Sequence, residues 1–501
     1  MKYTLYNMEK QETYNKNLVV VIAAIAATGG LLFGFDTGVI SGAIPFFQQD
    51  FQISNSMVEN ITTAGLVGAV IGAMFTGRLS DIFGRKKTIL AAAFIFVIGA
   101  AWSGWAPNPH ILIAARLFIG LAIGISSFSV PLYIAEISPT KMRGRLVSLF
   151  QLLITIGILV SYLSDLAFAN NNVLSSWRPM FYMGVIPGLI LLIGMFFLPE
   201  TPRWLMSKGR EDESRNILQR IEEPALVEDS IQRMKDEIKK YEERAGLKEI
   251  FRPWLRTALF IAVGIMFFQQ FVGINTVIYY SPKIFMIVGF EGARAGIWAA
   301  VSVGVVNVLF TILSLFMIDK LGRRKLYFIG LSGIIFSLVA LGLVFAFHTA
   351  LGDVGKWMAI AFVWIYIAFF AISLGPLGWL IISEVFPLRV RGIGSSIGSL
   401  SNWLFNGVVA FTFFKIVKLF TASGAGIITH EKLYNEATHT FVTHAINNGN
   451  PAGAFWFYAF IGVLGLVWGY YFLPETKDVP LEKIEEHWRK GGKPRALKTG
   501  L

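Results

Sequence analysis

The 501-residue chain contains no cysteine, which excludes a disulfide framework, thiol nucleophiles and thiolate-bound metals. Charge is scarce, with 15% of residues charged against 54% hydrophobic. The long apolar runs also lack the regular polar interruptions that mark the wet face of a soluble helix or strand. A water-soluble core has no use for so much uninterrupted apolar sequence, so the composition reads as a polytopic membrane protein. Within those runs no metal-ligand spacing occurs and no nucleophile has a base nearby, and His348 stands alone near the end of one run. An enzyme, a cofactor and a metal are therefore not expected.

Twelve runs are long enough to cross a bilayer as helices, each needing about 20 apolar residues. They begin near residues 18, 60, 88, 111, 146, 179, 257, 295, 326, 357, 393 and 454. An even number puts both ends of the chain on one side. The first run is too long for a signal peptide and has no convincing cleavage site. Lys and Arg concentrate in alternate loops: Arg78, Arg85, Lys86 and Lys87, then Lys141, Arg143 and Arg145, then Lys320, Arg323, Arg324 and Lys325, while 44–59 and 104–110 have none. Short basic loops stay in the cytoplasm, so both termini are expected there, in a multi-pass protein of the cell (inner) membrane. This bias accounts for the net charge of +12 without a nucleic-acid partner.

Residues 205–250, with apolar Ile217, Leu218, Ile221, Ile231, Met234 and Ile238 among Glu, Lys and Arg, read as short amphipathic cytoplasmic helices. The stretch 420–452 reads as an external loop. The division expected is a cytoplasmic N-terminus (1–17), a six-helix bundle (18–204), a helical linker (205–255), a second six-helix bundle (256–476) and a tail (477–501).

The chain repeats itself. GRLSDIFGRKK (77–87) returns as DKLGRRK (319–325), AEISPTKMRG (135–144) as SEVFPLRVRG (383–392), and LPETPR (198–203) as LPETKD (473–478), in the same order and about 240 to 275 residues apart. Three ordered repeats indicate duplication of six spans. Two parallel six-helix halves with a site between them near the midplane are the architecture of the major facilitator superfamily. The D-x-x-G-R-[KR] loops, the E-x6-R-G pairs, PETPRWL, QQFVGIN and the closing PETK together resemble the sugar porter family of that superfamily, and within it the bacterial proton-coupled monosaccharide symporters. The fold class expected is thus all-α membrane, with twelve spans in two parallel-related bundles.

Gly84 and Gly322 allow a tight turn where the chain re-enters the membrane. Asp81 and Asp319 are placed to accept hydrogen bonds from arginines or a neighbouring helix N-terminus. Glu136 with Arg143 and Arg85, and Glu384 with Arg391 and Arg323, are expected to form matching ion clusters. The resemblance implies that these clusters latch the inner gate in the outward-facing state.

Only Asp36 on span 1 and Arg116 on span 4 read as charges well inside the spans. A pocket for an ionic solute needs more fixed charge than that, whereas a hydroxyl-rich neutral solute needs amides and an aromatic face. The chain offers Gln151 (span 5), Gln269, Gln270 and Asn275 (span 7), Asn307 (span 8), Trp379 (span 10), and Asn402 and Asn406 (span 11). Gln151, Thr155 and Ile158 share one helix face, as do Asn402 and Asn406. Gly273 points to a discontinuous span 7, and Gly375, Pro376 and Gly378 to a similar break in span 10. The resemblance implies that QQFVGIN and GPLGW bind sugar. It also implies that Ile158, where xylose-transporting relatives carry Gln, leans toward a hexose. Tyr279, Tyr280 and Phe33 are expected at the external gate.

Gly30, Gly34, Gly38 and Gly42 form a small-residue stripe inviting close helix approach. Asp36 lies about 160° from it and should face the cavity or a helix lining it. The resemblance implies that Asp36 and Arg116 pair, as in proton-coupled porters. The function expected is symport of a neutral monosaccharide with protons by a monomeric unit in the bilayer. The alternatives are a facilitative uniporter, or a symporter for xylose or inositol; a sugar sensor would be expected to carry a longer tail.

Overall fold

The computed structural model describes residues 15–241, 247–387, 390–421, 426–435, 440–447, 449–477, 479 and 481–497. Twelve helical segments among them are long and apolar enough to cross a membrane. Several begin a turn or more before the apolar runs do, because the helices continue through flanking polar residues.

The first half comprises α1 (Lys16–Asp50), α2 (Asn55–Phe83), α3 (Arg85–Trp105), α4 (Pro109–Ile137), α5 (Thr140–Phe168) and a sixth span in two pieces, α6 (Trp177–Met183) and α7 (Val185–Phe197). Three short helices follow: α8 (Pro202–Ser207), α9 (Glu211–Ile221) and α10 (Pro224–Tyr241). Leu218, Ile231 and Met234 of this segment pack with Met206 and Val227 in a small cluster of their own. Ile221 instead joins the main core, and the side chain of Ile238 lies outside the described residues.

In the second half, α11 (Arg256–Phe271) and α12 (Ile274–Ile287) share span 7, followed by α13 (Gly292–Leu321) and α14 (Arg323–Ala346). Span 10 is divided into α15 (His348–Ile372) and α16 (Leu374–Glu384), then come α17 (Arg391–Phe420) and α18 (Ala452–Phe472). Between the last two, β1 (Ile428–Asn435) and β2 (Thr440–Asn447) form an antiparallel hairpin with Ile428 opposite Asn447, in a stretch the sequence marked only as a loop. A short helix, α19 (Leu481–Arg489), lies beyond the last span.

The glycine stripe of α1 does what small residues do in membranes. A Cβ at Gly30 or Gly34 would run into the Phe150 or Ile154 carbonyl of α5, and one at Gly38 or Gly42 into the Ser161 or Asp165 side chain. Backbone contact this close leaves Asp36 on another face of α1, away from α5.

The repeated loops fold alike. Gly84 (φ 98°) and Gly322 (φ 82°) lie in the left-handed region and start α3 and α14. Glu200 accepts the Arg85 N–H at 3.1 Å and the Lys86 N–H at 3.1 Å; Glu475 accepts those of Arg323 at 3.0 Å and Arg324 at 3.1 Å. Each PET glutamate thus caps the helix that its half's glycine opens, where the helix dipole favours an anion. A Cβ on either glycine would crowd that carboxylate. Of the two partners expected for the aspartates, an arginine or a helix N-terminus, Asp81 has the arginine, pairing with Arg85 at 3.2 Å; the side chain of Asp319 lies outside the described residues.

Candidate functional site

Asp36 and Arg116 are buried, at 5% and 3% exposure, and form a two-pronged pair from α1 to α4. Arg116 Nη1 donates to Asp36 Oδ1, and Nη2 to Oδ2 at 2.9 Å. Phe181 of α6 lies under the guanidinium, 5.8 Å from ring centre to Cζ. The pair borders a cavity of about 10 Å³ walled by Thr37 of α1, Thr62 and Gly65 of α2, and, from the second half, Tyr279 of α12 and Trp403 of α17. That is the space of about one water. The charges therefore belong to the first half while the second supplies the lid.

The amides gather on the other side of the interface. Gly273 (φ 87°) separates α11 from α12, the discontinuity read from the sequence. Gln269 donates to the carbonyls of Leu374 (2.7 Å) and Gly375 (3.1 Å), joining this break to the one in span 10. Asn402 donates to Gln269 Oε1 at 2.5 Å, Gln270 to the same oxygen at 3.3 Å, and Asn275 to Gln270 Oε1 at 2.6 Å. Asn406 donates to the Tyr279 hydroxyl at 3.2 Å while its own Oδ1 is buried without a partner. The break in span 10 falls at Ser373, ahead of Gly375. Pro376 sits in the first turn of α16, where no intrahelical N–H is needed, so it opens the second piece rather than cutting the first.

Not every expected residue joins this chain. Gln151 and Trp379 are half-buried and Asn307 is buried, and no hydrogen bond ties them to the amides among the described contacts. Ile158 is buried in the core. Tyr280 donates to the Ala410 carbonyl at 3.1 Å and stacks on Phe413. Phe33 meets Trp403 at 4.9 Å between ring centres, and Trp403 Nε1 donates to Ser127 Oγ of α4 at 3.3 Å.

The ion clusters hold the expected Arg85–Glu136 and Arg323–Glu384 pairs, each joined by a threonine. Glu136 bonds Arg85 (3.0 Å) and Thr201 (2.6 Å), and Glu384 bonds Arg323 (2.8 Å) and Thr476 (2.5 Å). Arg143 is exposed in the first turn of α5; both it and Arg391 have partners. Each named pair lies within one half. Glu200, at the edge of the first cluster, has its carboxyl pushed above the usual value by burial, against the pull of the N–H groups it accepts.

Within the spans, sequence reading missed three further buried charges: Glu59 in α2, Asp165 in α5 and Lys283 in α12. All lie within about a turn of a helix end, where an apolar run fades and a charge attracts no notice. The signal available was the helix length itself. Trp403, next to Asn402, carries no charge or break signal in the sequence; its place in the cavity wall comes from contact with α1 and α4.

The chain matches the family described as "Sugar (and other) transporter" over residues 22–488. It is 35% identical to the galactose-proton symporter of Escherichia coli (strain K12), covering 98% of each chain. It is 36% identical to the glucose transporter GlcP of Staphylococcus epidermidis, covering 95% of this chain and 98% of that one. A solved structure of the E. coli xylose transporter XylE, partially occluded and inward open, superposes with a TM-score of 0.76 at 28% identity, covering 92% of this chain and 99% of that one. With the duplicated loops, the two broken spans and the near-complete match, the chain belongs to the sugar (and other) transporter family.

Proposed function

We propose that the protein is a proton-coupled symporter of a neutral monosaccharide, a hexose of the glucose or galactose kind, working by alternating access in the inner membrane as a monomer. The observation that carries this reading is the buried Asp36–Arg116 pair walled by Tyr279 and Trp403 of the opposite half, with a run of amides a few residues away. A proton arriving at Asp36 cancels the pair and frees Arg116; its departure restores it. Either event acts on the wall through which the halves meet. Gln269, Gln270, Asn275, Asn402 and Asn406 supply paired donors and acceptors for sugar hydroxyls, with Gln151, Asn307 and Trp379 completing the pocket and Ile158 keeping one side apolar. The galactose-proton symporter supports the coupling, and it and GlcP support the choice of hexose.

With the basic loops cytoplasmic, both termini are cytoplasmic and the closed face of the interface is external. In this reading Phe33, Tyr279 and Tyr280 belong to the external gate. The clusters around Asp81, Arg85, Glu136 and Arg143, and around Asp319, Arg323, Glu384 and Arg391, meet across the halves when the inner gate shuts. At about 150 mV the membrane potential offers roughly 3.5 kcal/mol per proton, enough for several-hundredfold accumulation of a neutral sugar. The test is glucose and galactose uptake in proteoliposomes. Asp36→Asn should bind and exchange sugar yet lose concentrative uptake; if it still concentrates sugar and alkalinises the medium, Asp36 is not the coupling site. Wild-type uptake that never exceeds equilibrium would make the protein a uniporter.

A further inference from the structure

Two charged side chains outside the proposed site bind the halves together on the face opposite the basic loops. Lys283 lies four residues after Tyr279 on α12, so the two share a helix face. Its ammonium is buried at 8% residue exposure. It donates to Gln48 Oε1 near the end of α1 at 2.8 Å and to Asn55 Oδ1 at the start of α2 at 2.6 Å. Gln48 also donates to Asn55 Oδ1 at 2.9 Å, so the cradle is fixed by the first half itself. Lys283 Nζ also lies 4.9 Å from the Phe414 ring centre.

The second charge enters from the first half. Glu59, 1% exposed, accepts the Phe414 N–H at 3.0 Å through Oε1 and pairs with Lys415 at 3.2 Å through Oε2. The Ala410 carbonyl, one turn before Phe414 on α17, accepts the Tyr280 hydroxyl at 3.1 Å. One turn of α17 is therefore held by α2 and α12 together.

We propose that Lys283 in its Gln48–Asn55 cradle and Glu59 on the Phe414 turn form the lock that keeps this face closed, and that α12 carries its state to the charged pair through Tyr279. The proposal rests on the alternating-access part of the function proposed above, not on proton coupling. An apolar seal would gain by staying shut. Buried charges differ: desolvation offsets much of what their bonds contribute, and both ions recover water when the face opens. Such a contact specifies one closed geometry while leaving a small free-energy gap to the open one, as a gate that opens in every cycle requires.

The cysteine-free chain allows a direct test. Thr62, 2% exposed, lies inward of Glu59 on α2 and lines the cavity, so Thr62→Cys reports opening of this face to a membrane-impermeant maleimide added from that side. In the Lys283→Met and Glu59→Gln backgrounds labelling should quicken by about tenfold, the effect of roughly 1.4 kcal/mol. Lys415→Met, which removes a half-exposed partner, should change it less than about twofold. Asn55→Ala, which breaks the cradle from the other half, should act like Lys283→Met and stands in if that variant does not fold. Unchanged or slower labelling in folded Lys283→Met and Asn55→Ala proteins, folding being judged by gel-filtration profile, overturns the lock. Calorimetric glucose binding by the wild type separates the two claims: faster labelling without any sugar binding keeps the lock and sinks the transport reading.

Discussion

The two halves carry the same loop motifs but different groups at the middle of the membrane. On the basic-loop face each half has a positive-φ glycine, a capped helix and an arginine on a partly buried glutamate: Gly84, Glu200 and Arg85–Glu136 in one, Gly322, Glu475 and Arg323–Glu384 in the other. Span 1 then carries Asp36 against Arg116, whereas span 7, its counterpart in the second half, carries Gln269, Gln270 and Asn275. Duplication kept what every half needs to re-enter the membrane and changed the groups inside the spans. The matching parts hold each bundle together; in the function proposed above the differing parts divide proton from sugar.

Removing one partner of the charged pair should have the largest effect. Arg116→Gln leaves Asp36 buried without its cation, which costs about 3 to 5 kcal/mol, seen as a large drop in thermal unfolding temperature in detergent. The double variant Asp36→Asn/Arg116→Gln should recover most of that loss. If the double variant is as unstable as the single, the guanidinium is held by packing, including Phe181, more than by charge.

Breaking the amide side should cost affinity and leave stability nearer the wild type. Gln269→Ala or Asn402→Ala removes a hydroxyl partner worth about 1 to 3 kcal/mol, or about 5- to 150-fold in sugar Kd by calorimetry. Near-normal affinity in both would move the sugar away from spans 7 and 11 and undo the division between halves.

The twelve spans were legible because an apolar run of membrane length has few other uses, and the break at Gly273 because a glycine between two amides has little place in a straight helix. Asp36 and Arg116 stood out as charges in mid-run. The Glu200 and Glu475 caps did not, since nothing in LPET says which N–H groups it will meet; that depends on α3 and α14 arriving from far along the chain. Lys283 and Glu59 escaped for the same reason, compounded by their position near helix ends. Their meaning lies in Gln48, Asn55 and Phe414 across the interface. Sequence shows which residues are costly to bury; contacts show what repays the cost.

The smallest effect tests the likeness of the halves. Glu200→Gln and Glu475→Gln each weaken a helix cap by about 0.5 to 2 kcal/mol, and the two losses should agree if the repeated loops are energetically as well as geometrically equivalent. The Glu200 contribution should also depend on pH. Burial raises the Glu200 carboxyl above its ordinary value of 4.5, so the folded state binds that proton more tightly than the unfolded state does. Stability from this group is then complete below the unfolded value and declines as pH rises through the folded one. The unfolding temperature of wild type relative to Glu200→Gln should accordingly fall between pH 4.5 and the raised value, and a difference that grows with pH would mean that the backbone N–H groups, rather than burial, govern this carboxylate.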